Sequence, residues 1–232
     1  MLLIDKQIED LIKDQASGLL IEPFEPEQLK GASYDLRVGK KILISGEDRE
    51  HDLSKEKSVS LSPGDFAVTL SYEHFEIPQN MVINIGPKTY LTKKGIILQA
   101  GMQIDPGFEG FLFLGLYNSS PRKFIIEYLG DLCSIQFFKL QEEAVKIFPV
   151  SRNHKNGEFP RDMKDYLYTL ETKSLTRLGE DVRALTKNVG NMSERIVDIS
   201  SQVNSLKTII LSVAIPLGLG ILLIIIQNFT KS

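Results

Sequence analysis

Short runs of apolar and β-branched residues, separated by turn sequences, make up most of the first 160 residues. Turns are marked by Ser62-Pro63-Gly64-Asp65 and Asp105-Pro106-Gly107, and no helical pattern is interleaved with the runs. This pattern predicts an antiparallel β-barrel or a jelly-roll-like sandwich, preceded by one amphipathic helix around Ile4–Ile12. The predicted strands are Lys41–Ile44, Ser58–Leu61, Phe66–Leu70, Met81–Ile85, Ile96–Leu98, Phe111–Tyr117, Phe124–Tyr128, Cys133–Phe138 and Val145–Phe148.

Between residues 163 and 207 the apolar positions follow a seven-residue repeat, in which twelve of thirteen a and d positions are apolar. A single register over six heptads predicts a coiled-coil stalk, and the alternative is a long helix that folds back on the preceding domain. β-branched residues at a with leucine at d favour a dimer, whereas Ile196 and Ile199 favour a trimer. The a positions are Tyr168, Leu175, Val182, Val189, Ile196, Val203 and Ile210, and the d positions are Glu171, Leu178, Leu185, Met192, Ile199 and Leu206.

Residues 208–226 follow the repeat directly and form a stretch of 19 positions without a charged side chain. As a helix this stretch spans roughly 28 Å, close to the roughly 30 Å hydrocarbon core of a bilayer. The stretch predicts a transmembrane helix, since a buried core helix, the alternative, seldom avoids polar side chains for so long. Four segments follow: a head at 1–160, a stalk at 163–207, a transmembrane helix at 208–226 and a short tail at 227–232.

The N-terminus carries acidic residues where a signal peptide would have an apolar run. We therefore expect a single-pass C-terminal membrane anchor with the head in the cytoplasm.

Composition narrows the possible functions. Lys and Arg total 27 against 30 Asp and Glu, so the net charge is −3 and no overall basic field attracts nucleic acid. The single cysteine, Cys133, excludes an internal disulfide. His51, His74 and His154 lack metal-ligand spacing, which excludes a zinc site of the cytidine deaminase type. The sequence also contains neither a Walker-type phosphate loop nor a Rossmann fingerprint.

Five strings of residues in the first 150 positions are more specific than the strand pattern: GLLIEPF at 18–24, ASYDLRVG at 32–39, AGMQIDPGFEG at 100–110, YNS at 117–119 and GDLCSIQF at 130–137. The first two look like the start of dCTP deaminases. The last three resemble later motifs of the dCTP deaminase and trimeric dUTPase superfamily, and all five occur in the family's order. The resemblance covers about the first 150 residues. It implies a distorted antiparallel β-barrel that assembles as a homotrimer, with nucleotide sites between the subunits.

The resemblance also implies roles for individual residues. It makes Asp105 the carboxylate that orients and activates water for attack on the α-phosphate, although turn capping is the alternative. It places Phe108 beneath the deoxyribose, where ordinary core packing is the alternative. Lys88, Thr89 and Lys93 fall in the phosphate-binding loop, and otherwise form a solvated basic turn.

Ala100, Ile104 and Gln136 complete the implied nucleotide site, where Gln136 either faces the nucleotide or pairs across strands. The implied ligand is a pyrimidine deoxynucleoside triphosphate, accompanied by Mg²⁺.

Three departures from the family pattern bear on activity. Family members that deaminate dCTP use a glutamate two residues before the Tyr-Asn-Ser string, where this chain has Gly115, which cannot transfer a proton. Residues 87–95 carry lysines in place of the arginines that clamp phosphate oxygens. Residues 151–159 match neither family's closing segment, so we expect water to be poorly excluded from the phosphates.

Three functions are compatible with these residues. The first, which the residues favour, is a membrane-tethered protein that binds a pyrimidine deoxynucleotide without turnover, because the acid required for deamination is absent. The second is an enzyme, either a dUTP diphosphatase that uses Asp105 and Mg²⁺ or a dCTP deaminase with a relocated acid. The third is a trimeric structural module that binds a protein partner.

Overall fold

The computed structural model describes residues 1–147, 149, 151–170 and 175–230. They fall into two units, Met1–Arg177, here called the head, and Leu178–Ser232. The head begins with helix α1, Asp5–Lys13, which buries Ile8 completely. This helix confirms the one that the apolar spacing predicts near the N-terminus.

Antiparallel strands form most of the head, and its described residues contain twelve of them. They are β1 Leu20–Glu22, β2 Leu29–Lys30, β3 Ser33–Ile44, β4 Glu50–Asp52, β5 Ser58–Leu61, β6 Phe66–Glu76, β7 Met81–Pro87, β8 Ile96–Gln99, β9 Gln103–Ile104, β10 Glu109–Asn118, β11 Phe124–Glu127 and β12 Asp131–Lys139.

Ten of these strands form one curled sheet in the order β8-β10-β6-β3-β12-β7-β9, with β1 paired to β6 and with β2 and β4 paired to β3. Strands β5 and β11 form a separate two-stranded sheet. The curled sheet is a half-barrel, which confirms the predicted antiparallel β architecture.

The short helices of the head lie between or after the strands. They are α2 Leu53–Glu56, α3 Thr89–Lys93, α4 Arg152–Asn156 and α5 Arg161–Thr169. Helix α5 buries Leu167 in a small apolar cluster with Leu43 and Leu70, separate from the main core of the half-barrel. Residues 163–169, which the heptad repeat assigns to the stalk, therefore pack on the sheet of the head.

Two predicted strands differ from the structure. Strand β3 begins at Ser33, eight residues before the predicted start. The prediction missed its first half because Asp35 and Arg37 are charged, yet both are buried in the strand. The strand predicted at Val145–Phe148 is not formed over residues 145–147, where Val145 is 97% exposed. Phe148 lies outside the described residues.

A buried ion pair joins β3 to β6 and explains how Arg37 is accommodated. The Nε of Arg37 donates to Oε1 of Glu73 at 2.7 Å, and the backbone N–H of Arg37 donates to Oε2 of Glu73 at 3.1 Å. Glu73 is completely buried, and the Arg37 guanidinium lies 4.7 Å from the centre of the Tyr72 ring. A buried charge that is paired and hydrogen-bonded in this way avoids most of its desolvation penalty.

The second unit is helical. Helix α6, Leu175–Ile209, continues through a π-helical turn at Ile210–Ala214 into α7, Ile215–Thr230. The π-turn ends two residues before Pro216, which has no backbone N–H to donate to the preceding turn. Asp181–Ile226 is long and apolar enough to cross a membrane, and its most apolar window is not buried among the described residues.

The heptad positions of α6 lie along an exposed helix. Ile196 and Ile199 are 64% and 59% exposed, and the other a and d side chains from Val182 to Ile210 are also exposed. Two earlier heptad positions are not part of this helix: Tyr168 lies in α5, and Glu171 lies outside the described residues.

Candidate functional site

A cavity of about 340 Å³ opens beside the turn that contains Asp105. Four of the residues implied by the sequence line it, namely Ala100, Ile104, Asp105 and Phe108. They come from β9, the residues just before it and the turn just after it, so one short stretch of chain supplies all four. Here this is called the Asp105 cavity.

Backbone hydrogen bonds hold the Asp105 turn. The N–H of Phe108 donates to the carbonyl of Asp105 at 3.2 Å, which closes the turn. Ile77 fixes it from the side, since the N–H of Gly107 donates to the Ile77 carbonyl at 3.0 Å and the Ile77 N–H donates to the Phe108 carbonyl at 2.8 Å. Gly107 has φ +79, a backbone conformation that residues with a Cβ rarely adopt. The turn therefore presents Asp105 from a fixed backbone.

The Asp105 carboxylate is exposed and is oriented by a neighbour. Nε2 of Gln103 donates to its Oδ1 at 2.8 Å, and Asp105 forms no ion pair with a described residue. Among the described residues that line the cavity, Asp105 is the only acid. A carboxylate in this position has free lone pairs that can accept a proton or a hydrogen bond from water.

His154, from α4, forms part of the wall of the same cavity. Its ring stacks on Phe113 at 4.2 Å between centroids and meets Phe108 edge-on at 5.5 Å. Its Nδ1 lies 2.9 Å from the carbonyl oxygen of Phe111, which can only accept a hydrogen bond. Nδ1 therefore carries a proton, and in the neutral imidazole Nε2 is the acceptor.

The segment after β12 packs closely against the cavity turn. A Cβ at Gly107 would lie 2.6 Å from Cγ2 of Ile147, and a Cβ at Gly110 would lie 2.5 Å from the backbone carbon of His154. The carboxylate of Glu109 also pairs with the ammonium of Lys155. The segment 151–159, which matches neither family's closing segment, thus contains helix α4, Arg152–Asn156, which lies against the cavity.

The position of Gly115 is tightly surrounded by neighbouring atoms. Gly115 is buried in β10 between Val68 of β6 and Gln99 of β8. A Cβ at this residue would lie 2.9 Å from Cε2 of Phe66, 3.0 Å from Cβ of Gln99 and 3.1 Å from its carbonyl oxygen. A side chain at this position, where the family resemblance implies a catalytic glutamate, would therefore require Phe66 or Gln99 to shift.

Glu109 and Glu127, two acids elsewhere in the head, do not replace that glutamate. Glu109 is held by Lys155, as described above. Glu127 ends β11 and lines a different cavity.

Gln136 lies in a polar row on the same face as Gln103. Gln136 of β12 is directly opposite Asn84 of β7, and Asn84 is directly opposite Gln103 of β9. Directly opposed residues of antiparallel strands point to the same face, with strands about 4.8 Å apart. Gln136 is exposed and does not line the Asp105 cavity. Asn84 and Gln103 lie between it and the cavity.

Lys88 is already paired within the head. Its Nζ donates to Oδ2 of Asp35 at 2.7 Å and to Oδ2 of Asp131 at 2.9 Å, and Asp35 also accepts a hydrogen bond from Ser134. Burial opposes the charge of Lys88, but the hydrogen bonds from its two carboxylate partners raise the pKa of Lys88 overall. Lys88 thus joins β3 and β12 instead of presenting a free cation.

Thr89 and Lys93 lie on α3 and are exposed. Neither lines the Asp105 cavity, and Lys93 lines the second, larger one. The residues of the Asp105 motif therefore share one cavity within a single chain. The basic loop, formed by Lys88, Thr89 and Lys93, lies elsewhere in the same chain.

Sequence reasoning missed His154 and Gln103. The three histidines are scattered along the chain, and only the packing of α4 on β10 brings His154 to Phe108. Gln103 stands inside the motif string but carries no role in the resemblance. Its spacing of two from Asp105 was the one available signal, because it allows a side-chain contact across the end of a strand.

Comparison with known proteins identifies the head. Residues 2–140 match the family model described as dCTP deaminase-like. A dCTP deaminase of Pyrococcus abyssi is 35% identical over 126 residues, which cover 54% of this chain and 80% of that protein.

Solved structures with a similar chain path include a 2'-deoxycytidine 5'-triphosphate deaminase of Agrobacterium tumefaciens, with a TM-score of 0.49 and 23% identity over 59% of this chain and 47% of that one. A variant of the dUTPase from phage phi11 of S. aureus, which coordinates a structural Mg(II) ion, has a TM-score of 0.40 and 14% identity over 58% of this chain and 98% of that one. The family match spans more than half of the sequence, and the chain belongs to the dCTP deaminase-like family.

Proposed function

We propose that this chain is a membrane-anchored member of its family that binds a pyrimidine deoxynucleotide and has lost the ability to deaminate dCTP. One observation carries the proposal. Asp105 and Phe108 line the Asp105 cavity, whereas Gly115 stands where the family resemblance implies a glutamate, and neighbouring atoms would have to shift to admit a side chain there.

The ligand class follows from the cavity and from the relatives. The cavity volume of about 340 Å³ lies at the lower end of the range for small-molecule sites. Phe108 offers the sugar an apolar ring, and the matched relative from P. abyssi is a dCTP deaminase. A pyrimidine deoxynucleoside triphosphate is the ligand that fits both facts.

Loss of deamination follows from proton accounting. Releasing ammonia from cytosine requires a group that takes a proton from water and delivers one to the ring and the leaving amine. Asp105 is the only acid among the described residues lining the cavity, and we assign it to the phosphate end of the nucleotide. Without a glutamate at 115, the cytosine end has no carboxyl group for this transfer.

Assembly accounts for the separation of the two groups of site residues. We propose a homotrimer in which the Asp105 cavity of one subunit, with Ala100, Ile104 and Phe108, meets the basic loop of a neighbour. Thr89 and Lys93 are exposed on that loop and available to phosphate, whereas Lys88 acts by fixing the loop to β3 and β12. The exposed heptad face of α6 is suited to bring subunits together.

Gln136 contributes in this proposal by extending the polar row toward the base. Asn84 and Gln103 lie between Gln136 and Asp105. The Gln136 amide can therefore contact only a ligand that extends beyond the Asp105 cavity.

Mg²⁺ is assigned to the nucleotide and not to a preformed protein site. The described residues contain no group of three or more His, Cys, Asp and Glu side chains that could hold a metal. Magnesium in nucleotide sites is commonly held by one or two carboxylates and the substrate phosphates. Asp105 is the carboxylate placed to join such a set, and the ion would neutralise phosphate charge.

A second candidate function is dUTP diphosphatase activity, which the state of Asp105 favours. The carboxylate is held by Gln103 on a fixed turn and pairs with no cation among the described residues, as a general base for water requires. In this reaction Asp105 accepts the proton of the attacking water, a bond forms between that oxygen and the α-phosphorus, and pyrophosphate leaves.

We place the chain in a membrane through residues 208–226, with the head in the cytoplasm and a tail at 227–232. Of the coiled-coil stalk predicted at 163–207, we propose the heptads from Val182 onward, because residues 163–169 pack on the head. The support is the helix Asp181–Ile226, which is long and apolar enough to span a bilayer. Its exposed apolar side chains would be unfavourable in water and favourable in lipid.

The test is thermal unfolding of the full chain in neutral detergent, with dCTP, dUTP or neither, together with assays for ammonia and pyrophosphate. A ligand at about 100 times its Kd should stabilise the head by about 2.7 kcal/mol. We expect stabilisation that Phe108→Ala abolishes and Phe24→Ala, a ring outside the cavity, does not.

The chemical assays separate the candidates. Ammonia release would refute the loss of deamination, and pyrophosphate release that Asp105→Asn abolishes would establish the diphosphatase. If no pyrimidine deoxynucleotide stabilises the head, the structural module is the correct reading and the proposal is wrong.

A further inference from the structure

Residues 151–170, here called the strap, form a continuous stretch of the head that contains α4 and α5. The strap lies beyond residues 2–140, so the family match assigns it no role. Helix α4 contributes His154 to the wall of the Asp105 cavity, whereas none of the residues of α5, all of which the structure describes, lines that cavity. A physical link between the two helices would therefore carry an event at the cavity to a helix that the ligand does not touch.

Helix α4 depends on its contacts with β10. It has five residues, and isolated helices shorter than about 12–15 residues are only marginally stable in water. Its polar contacts are the hydrogen bond from Nδ1 of His154 to the Phe111 carbonyl, at 2.9 Å, and the ion pair of Lys155 with Glu109. The His154 ring also stacks on Phe113, which itself lines the cavity. This wall of the cavity therefore exists only while α4 is docked on β10.

Helix α5 depends in the same way on its contacts with the sheet. It has nine residues, and its Leu167 is completely buried. The N–H of Gly46 donates to the Leu167 carbonyl at 3.0 Å, and Nζ of Lys164 lies 2.9 Å from Oε2 of Glu50. Gly46 follows β3 and Glu50 begins β4, so α5 is held at one hairpin of the sheet.

Phe159 connects the two helices. It is 4% exposed, lies between α4 and α5 in the chain, and shares the small apolar cluster with Leu167. Its ring centroid is 5.6 Å from that of Phe113, the same ring on which His154 stacks. Contacts thus run without a gap from the cavity wall through Phe113 and Phe159 to the cluster that holds α5. Because this cluster is separate from the main core, the strap can open locally while the half-barrel stays folded.

We propose that the strap is a two-state element in which α4 and α5 are docked together or released together, and that a ligand in the Asp105 cavity favours the docked state. The ligand supplies this bias because it contacts His154 and Phe113 together only when α4 is docked. The coupling is reciprocal, so release of α5 weakens ligand binding by the same factor. The ligand is the pyrimidine deoxynucleotide of the proposed function, on which this inference rests for that identity alone.

The coupling gives a binding protein an output. The chain continues from α5 into α6, so α5 is the part of the head through which a bound nucleotide affects the helical unit.

The first test is hydrogen exchange of the full chain in neutral detergent without nucleotide, measured by mass spectrometry over residues 152–157. Leu167→Ala removes a buried side chain from α5 and leaves the cavity lining unchanged. We expect it to raise the exchange rate over 152–157 about fivefold or more. The matched control is Leu53→Ala, since Leu53 is also completely buried but belongs to the main core. It should change that rate by less than about twofold, because local opening governs exchange in a weakly held segment.

Two results of this test would overturn the proposal. They are an unchanged exchange rate over 152–157 in Leu167→Ala and an equal rise in both leucine variants. Lys164→Gln provides a milder variant, because it removes the ion pair of α5 with Glu50 and no buried apolar group. It should raise the exchange rate over 152–157 in the same direction by a smaller factor. Thermal unfolding of each variant confirms that the head is folded.

The second test adds dCTP. We expect dCTP to slow exchange over α5 as well as over 152–157, and its Kd by isothermal titration to rise about fivefold or more in Leu167→Ala and by less than about twofold in Leu53→Ala. Slowing confined to 152–157 with equal Kd values in all proteins would overturn the coupling and leave the proposed function intact. If dCTP does not bind the starting protein, the proposed function is wrong, whereas faster exchange over 152–157 in Leu167→Ala still supports the link between the helices.

Discussion

Replacing Gly115 by alanine tests whether the position is closed to a side chain. The added Cβ would lie 2.9 Å from Cε2 of Phe66, a ring edge, and 3.0 Å and 3.1 Å from Cβ and the carbonyl oxygen of Gln99. The ring can move, but the Gln99 atoms belong to β8, which is paired to β10 at this residue. Strand β8 must therefore shift or the contact must remain strained.

The size of the effect follows from two opposing terms. Overpacking a well-packed core by a methyl group costs about 1–3 kcal/mol. Replacing glycine by alanine recovers about 0.4–1 kcal/mol by reducing the entropy of the unfolded chain. We expect Gly115→Ala to lower the free energy of unfolding by about 1–2 kcal/mol.

Gly86 provides the matched control, because it is also a strand glycine. A Cβ at Gly86 meets only the carbonyl oxygen of Ser134, at 3.8 Å, which is ordinary van der Waals contact. Gly86→Ala should therefore be neutral or slightly stabilising. Thermal unfolding of the full chain in neutral detergent measures both variants, and each 1 kcal/mol corresponds to about 2–4 °C in Tm.

An unfolding temperature of Gly115→Ala equal to or higher than that of Gly86→Ala would contradict the prediction. In that case the space at 115 would admit a side chain, and the absence of the glutamate would be a matter of sequence alone. If the account is right, Gly115→Glu unfolds at a lower temperature than Gly115→Ala and releases no ammonia from dCTP.

Three further predictions concern the head. Arg37→Met leaves the fully buried Glu73 without its partner, so urea unfolding should show a loss of about 3–5 kcal/mol. His154→Ala removes a ring that lines the Asp105 cavity and should weaken pyrimidine deoxynucleotide binding about tenfold by calorimetry; unchanged affinity would contradict this. Burial raises the pKa of Tyr34 to about 12, so the unfolded phenol ionises first and stability falls as pH rises between about 10 and 12. Urea unfolding at about pH 11 should show a loss of about 1.4 kcal/mol that Tyr34→Phe removes.

The sequence predicts the β architecture well where apolar runs alternate with turns. Ser58–Leu61 is a predicted strand that coincides with β5, and Met81–Ile85 lies within β7. The first half of β3 was not predictable in this way, because Asp35 and Arg37 interrupt the apolar pattern. Their partners, Lys88 and Glu73, lie far away in the sequence, so burial of these charges depends on the tertiary fold.

The candidate site was predictable only as far as one motif string reaches. Asp105 and Phe108 are three residues apart in sequence and share a cavity because a single turn presents both. His154 joins them through the packing of α4 on β10, a contact between residues more than forty positions apart, and no local pattern encodes it. The closed space at Gly115 depends likewise on Phe66 and Gln99, which approach it from two neighbouring strands.

The most direct test of the central claim is to recover the nucleotide that the protein binds. The full chain in neutral detergent is incubated with radiolabelled dCTP and Mg²⁺, separated from free nucleotide, and the bound label is identified by chromatography. The account predicts saturable binding of unchanged dCTP that Phe108→Ala abolishes. Recovery of the label as a deoxyuridine nucleotide, or the absence of saturable binding, would contradict it.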